Sequence, residues 1–119
     1  MENRRLVLPE HLNHFGFLFG GQLLRWVDET AWIAATRDFP GCRLLTVALD
    51  EVVFRKSVQQ GTVLRLETQR SKTGRTSVTY EVQVFAESIE TGAEDPVFTT
   101  QVTLVRVAET GQKLPLPLT

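Results

Sequence analysis

One aspartate stands inside an otherwise apolar helical pattern, LNHFGFLFGGQLLRWVDETAWIAA (residues 12–35), two turns after a pair of glycines. On a wheel of about 100° per residue, Leu23, Leu24, Val27, Ala31, Ala34 and Ala35 form one apolar arc. Arg25, Glu29 and Thr36 cluster on the opposite side. Asp28 falls with neither group: it lies at the edge of the arc between Ala35 and Trp32, with Leu24 one turn before it and Trp32 one turn after. A carboxylate in that place is partly desolvated, and such groups serve as bases or nucleophiles. Its commoner use is as a solvated residue or a structural hydrogen-bond acceptor. Gly20 and Gly21, at the start of the same pattern, leave room for another group to approach free backbone amides that carry partial positive charge. A helix end of that kind can hold a developing oxyanion, although glycines also suit a tight entry into a buried helix. Asn13, in the loop before them, has an amide that can orient a water or polarise a carbonyl; capping a turn is the ordinary role of a loop asparagine.

Other chemistry is poorly supported. His11 and His14 share a loop with no third ligand of suitable type nearby, so no metal is expected. No Gly-x-Ser-x-Gly elbow occurs. Cys42 reads as a small packed residue. Trp26 and Trp32 read as core or interface aromatics, and Trp32, beside Asp28, is also a candidate wall of a pocket. Arg75 alone reads as a solvated or ion-paired cation at a strand start.

The elements that must position these groups follow from patterning. RRLVL (residues 4–8) is a short strand that Pro9 ends, for want of an amide donor. One long helix runs from Gly20 to about Phe39, stopped by Pro40 and Gly41. Four long strands follow, at residues 43–54, 62–71, 75–87 and 97–107, with Leu64 and Leu66 alternating against Arg65 and Glu67, and Val78, Tyr80, Val82 and Val84 on one face. The tail GQKLPLPLT (residues 111–119) is extended, because its prolines exclude helix. The expectation is one α+β domain over residues 1–119, an antiparallel meander wrapped round a single helix. One helix cannot cover so long a sheet, and second apolar positions such as Val105 and Val107 also need cover, which predicts an oligomer.

The composition suits such a domain: 42% hydrophobic and 23% charged residues over 119 positions. A net charge of -1 with scattered cations excludes a nucleic-acid field. One cysteine cannot form an intrachain disulfide, and the apolar run before Pro9 is too short for a signal core or a membrane span. A reducing, cytoplasmic setting is expected.

PEHLNHFGFLFGGQLLRWVDETA (residues 9–31) resembles the signature of hotdog-fold acyl-CoA thioesterases of the cytosolic acyl-CoA hydrolase type. LLTVALDEVVFRKSVQQGTVL (44–64) is similar to that family's second strand and following turn, KTGRTSVTYEVQVFAE (72–87) to its Gly-Arg-Thr-Ser strand, and TLVRVAETGQKLPLP (103–117) to its closing strand and tail. The resemblance implies a hotdog fold, two subunits pairing their sheets edge to edge, and assembly to a tetramer or hexamer. It implies hydrolysis of acyl-CoA to a carboxylic acid and coenzyme A, with no cofactor. Asp28 would act as general base or nucleophile, Asn13 would come from the partner subunit, and the amides of Gly20 and Gly21 would face the thioester oxygen. Arg75, Thr76 and Ser77 match positions that approach coenzyme A across the interface, and Phe54 a position near the pantetheine channel. Ser57 stands where the family usually has proline and Thr62 where it usually has aspartate, both at the turn by the coenzyme A entrance. A hotdog dehydratase would show a His-Phe-Pro-Gly type motif, which is absent. A noncatalytic acyl-CoA sensor on the same fold is the alternative from another class, and a purely structural oligomer a third.

Overall fold

The helical pattern forms α1, Gly20–Asp38, in a computed structural model that describes residues 1–117. Leu118 and Thr119, the end of the tail read as extended, lie outside the described residues. The helix ends where expected: the Phe39 amide donates to Ala35 O at 2.9 Å, Pro40 follows, and Gly41 turns the chain at φ +82°. Five strands surround it: β1 (Glu2–Leu6), β2 (Leu44–Phe54), β3 (Val63–Thr73), β4 (Ser77–Glu87) and β5 (Glu94–Arg106). They form one antiparallel sheet in the order β1-β3-β4-β5-β2, with α1 packed on one face. This is the hotdog arrangement.

The sheet is not the simple meander that strand order suggested. β3, β4 and β5 follow one another, but β2 pairs with β5 at the far edge. Residues 55–62 therefore cross from one side of the sheet to the other at the amino end of α1. Backbone bonds hold this crossing to its neighbours: Leu18 N donates to Val58 O (2.8 Å), Gly61 N to Val7 O (2.8 Å) and Val7 N to Thr62 O (3.0 Å).

Helix residues Leu23, Trp26, Val27, Thr30, Ala31, Ala34 and Ala35 are buried. They meet a sheet face that carries Leu64, Leu66, Val78, Tyr80, Val82, Val84, Val102 and Leu104. The buried stripe is rotated from the wheel reading: Trp26 and Thr30 join it, and Leu24 is only half-buried. Trp26 turns in, with the His11 ring edge-on against it at 4.8 Å. Leu24 and Asp28 are thereby left toward β2, the open side.

Val105 and Val107 do not await a partner. The chain's own tail covers them: Leu114 N donates to Arg106 O and Leu116 N to Arg75 O, and both valines are buried. The uncovered apolar surface is elsewhere, on β2, where Leu45, Val47, Val52, Val53 and Phe54 are exposed along an unpaired edge. Among the described residues no helix is long and apolar enough to cross a membrane.

Candidate active site

Asp28 is half-buried on the side of α1 that overlies β2. Its Oδ1 accepts a hydrogen bond from Thr46 Oγ1 at 2.6 Å, a length typical of a hydroxyl donating to a carboxylate. One turn further along the helix, Trp32 Nε1 donates to Leu44 O at 3.2 Å. One helical turn rises about 5.4 Å and two strand residues span about 6.8 Å, so the two bonds match in spacing and clasp α1 to β2. Trp32 nevertheless remains 47% exposed, so its indole lies along the open edge beside Asp28. Thr46 was not singled out by its sequence. Within RLLTVAL it reads as a β-branched strand former, and only the β2–β5 register turns its hydroxyl to the helix.

At the amino end of α1, a cavity of about 620 Å³ is lined by Asn13, Gly20 and Phe54, together with Arg55 and Lys56. The Gly20 and Gly21 amides have no hydrogen-bond partner among the described residues, as the first turn of a helix dictates. Both positions are closely covered. A Cβ on Gly20 would stand 3.5 Å from the Phe54 ring, and one on Gly21 would come within 2.6 Å of the Phe19 ring. Phe54 is itself propped by Phe98, ring centroids 4.9 Å apart.

Asn13 caps its own loop. Its Oδ1 accepts from the Phe15 amide (2.9 Å) and the Phe17 amide (3.2 Å), while its backbone N donates to Phe17 O (2.7 Å). This loop presents Phe15, Phe17 and Phe19 as exposed rings.

Arg75, Thr76 and Ser77 lie at the other end of the sheet. Arg75 is exposed, Thr76 and Ser77 half-buried, and Ser77 pairs with Val105, which pairs with Leu45. Phe54 pairs with Phe98. Val105 and Phe98 are seven residues apart on β5, about 23 Å. One chain therefore gathers Asn13, Gly20 and Phe54 in one cavity, holds Asp28 and Trp32 on the β2 flank, and leaves Arg75 to Ser77 distant.

A different cleft, of about 650 Å³, lies at the carboxyl end of α1. Its polar groups are engaged with one another: Tyr80 OH donates to Asp38 Oδ2 at 2.6 Å, and Arg70 approaches the same oxygen at 3.1 Å. Burial, then the bond to Asp38, holds the Tyr80 phenol above its usual range. That cluster closes the helix end. Among the described residues no group of three or more His, Cys, Asp or Glu side chains could hold a metal ion.

The family model described as Thioesterase superfamily matches residues 15–93, so the chain belongs to that superfamily. It is similar to a Bacillus subtilis protein named as an uncharacterized acyl-CoA thioester hydrolase, 32% identical over 113 residues, which are 93% of this chain and 64% of the relative. Among solved structures, a hexameric acyl-CoA thioesterase in its apo form is 35% identical with a TM-score of 0.89, covering 98% of this chain and 74% of that one. The Staphylococcus aureus acyl-CoA hydrolase, solved with butyryl coenzyme A and coenzyme A, is 27% identical with a TM-score of 0.89, covering 98% of this chain and 71% of that one. The chain spans 14%, 64% and 53% of the length of the first curated relatives it matches.

Proposed function

We propose that this chain is an acyl-CoA thioesterase, converting acyl-CoA and water to a carboxylic acid and coenzyme A. The observation that carries the reading is Asp28, held by Thr46 at 2.6 Å on the open flank of a thioesterase-superfamily domain. The chemistry asks for little more than a directed nucleophile and help for the oxygen charge. As general base, Asp28 takes a proton from water, whose oxygen adds to the thioester carbon; the C–S bond then breaks and coenzyme A leaves as a thiolate, which the same proton neutralises. As nucleophile, the carboxylate adds directly, expels the thiolate and forms a mixed anhydride that water opens. Thiolates leave readily, so no separate acid is needed. The unpaired Gly20 and Gly21 amides suit the oxyanion. No cofactor enters, because coenzyme A is part of substrate and product.

The reading requires two subunits. In one chain Asp28 is not part of the cavity that Asn13 lines, and Arg75 is far from Phe54. Pairing two β2 edges antiparallel, centred near mid-strand, would set Leu45, with Ser77 and Arg75 behind it, opposite Phe54 of the partner subunit. Asn13 of the partner subunit would then face Asp28, with Arg75, Thr76 and Ser77 along the coenzyme A path and Trp32 beside the acyl group. Exposed apolar side chains along β2 favour such a homodimer, and the named hexameric relative favours further assembly to a hexamer. A cytoplasmic setting belongs to the same reading, which the single unpaired Cys42 suits.

The test is thiol release from acetyl-, medium-chain, long-chain and aryl-CoA by the purified protein and by Asp28→Asn. Wild type is expected to release coenzyme A, and Asp28→Asn to lose at least about 10³-fold in kcat with its fold and assembly intact. Near-full activity of that variant would remove Asp28 from the reaction. Binding of acyl-CoA by wild type without thiol release would make the protein a sensor.

A further inference from the structure

We infer that the tail, residues 113–117, is a strap that holds Arg75 in place for the phosphate-bearing end of coenzyme A, with the Leu116 amide as its fastening; this rests on the acyl-CoA reading above. Leu116 is thus a positioning residue that acts through Arg75.

Arg75 stands where the sheet gives it no support. The β3–β4 ladder ends at the pair Thr73 and Val78, and the β4–β5 ladder begins at Ser77 and Val105, so residues 74–76 lie outside both. Three backbone bonds hold this turn: Gly74 N donates to Ser77 O at 2.7 Å, Arg106 N to Thr76 O at 2.9 Å, and Leu116 N to Arg75 O at 2.8 Å. Only the bond from the tail reaches Arg75 itself. The Arg75 guanidinium is exposed and has no hydrogen bond or ion pair among the described residues, whereas Arg4, Arg5 and Arg65 are each matched to a glutamate. A free cation on a tied backbone suits a phosphate.

The tail is built to hold. It turns back at Gly111, φ +89°, where Ala108 N donates to Gln112 O at 2.8 Å. It then runs beside the end of β5: Leu114 N donates to Arg106 O at 2.9 Å, and Arg106 Nη1 returns a bond to Pro115 O at 2.9 Å. Pro115 and Pro117 restrict φ and carry no N–H, so Leu116 supplies the one amide donor between them, and it goes to Arg75. The Leu116 side chain is buried in the core cluster, which anchors that amide. Turn and tail together line a cavity of about 520 Å³, with Gly74, Arg75, Pro115 and Pro117 among its walls. A shift of the tail therefore reshapes the surface beside Arg75.

Leu116→Pro removes the donor and leaves the segment extended. Two substrates with the same acyl group separate positioning from general damage: the acyl-CoA, and the thioester of N-acetylcysteamine, which keeps the reacting carbonyl and sulfur but lacks the phosphates. KM for the acyl-CoA should rise about tenfold with kcat nearly unchanged, as when one charged binding contact is lost, and kcat/KM for the short thioester should stay at the wild-type value. In an Arg75→Ala background, whose carbonyl still accepts the tail, the same substitution should add nothing, because the two residues act as a unit. An unchanged KM for acyl-CoA, an equal loss on both thioesters, or a full further loss in the Arg75→Ala background would overturn the inference.

A second measurement uses the wild-type protein and does not depend on a variant folding. If the strap prepares Arg75 for the ligand, the ligand must strengthen the strap to the same extent. Saturating coenzyme A should slow hydrogen exchange of the Leu116 amide about tenfold, and pantetheine, which lacks the phosphates, should not. No slowing with coenzyme A, or equal slowing with both, would overturn the strap even in an active enzyme. Absence of thiol release from every wild-type substrate would instead overturn the hydrolase reading, and this inference with it.

Discussion

At the scale of single residues, the feature that most constrains the chemistry is the Thr46 hydroxyl on Asp28. It fixes one carboxylate oxygen and leaves the other to face whatever occupies the open flank. Thr46→Val removes only that hydroxyl, in a shape that a strand accepts, so the protein should still fold, at a cost in stability of no more than the bond to the carboxylate contributes, about 1.5–3 kcal/mol. A hydrogen bond to a charged group contributes about 1.5–3 kcal/mol, so kcat should fall roughly 10- to 100-fold while KM changes little. Thr46→Ser, which keeps the oxygen, should recover most of the activity. Steady-state kinetics on the three proteins checks this; full activity in Thr46→Val would mean that the helix alone positions Asp28. The role was not legible beforehand for a physical reason. Asp28 and Thr46 are 18 positions apart in sequence, and their meeting depends on which strand lies beneath the helix. Asp28 and the glycine pair were legible as suspects because a polar residue at the edge of an apolar helical arc, or two glycines at its start, needs no tertiary information to look unusual, whereas Asn13, in the loop before them, was marked out by the family resemblance.

At the scale of elements, local chemistry carried most of the fold. The helix could be bounded from its glycine start and Pro40-Gly41 stop, and β3 and β4 from alternation that is strict because only one sheet face is packed. What failed was non-local. Nothing in residues 55–62 announces a crossing, so β2 was placed beside β3 rather than β5, and the tail's return over Val105 and Val107 was equally silent. β2 also holds a backbone irregularity no pattern foretold: Glu51 adopts φ +54° at the register shift between Asp50 and Val53. A side chain in the left-handed region is disfavoured by about 1–2 kcal/mol relative to the right-handed one, and glycine is free of that penalty but has more unfolded-state entropy to lose. Glu51→Gly should therefore stabilise the protein by about 0.5–1 kcal/mol in urea unfolding. A loss of stability would show that the exposed Glu51 side chain contributes more than its backbone geometry takes away.

At the scale of the whole molecule, the two faces and two edges of the sheet differ in what they ask for. The face away from α1 satisfies itself with polar contacts: Thr79 and Thr103 hydroxyls lie 3.0 Å apart, Ser71 Oγ donates to Gln101 at 2.9 Å, and Gln101 donates to Glu81 at 3.1 Å. One edge is the short strand β1, five residues whose exposed side chains, Glu2, Arg4 and Leu6, are mostly charged. The β2 edge, with its exposed Leu45, Val47 and Phe54, and the neighbouring loop with Phe15 and Phe19, are left. A second copy fits this distribution, and the proposed site residues make the idea testable without any structure of the dimer. If each site draws Asp28 from one subunit and Asn13 from the other, then Asp28→Asn and Asn13→Asp, each nearly inactive alone, should rescue one another when unfolded together and refolded. In a mixed dimer one site contains both substitutions and the other contains neither. Random pairing makes half of the dimers mixed, each with one of two sites intact, so thiol release should return to about one quarter of the wild-type rate. A single-chain site predicts no recovery at any mixing ratio, because every chain in the mixture carries a lesion, and that outcome would place Asp28 and Asn13 on the same subunit's chemistry.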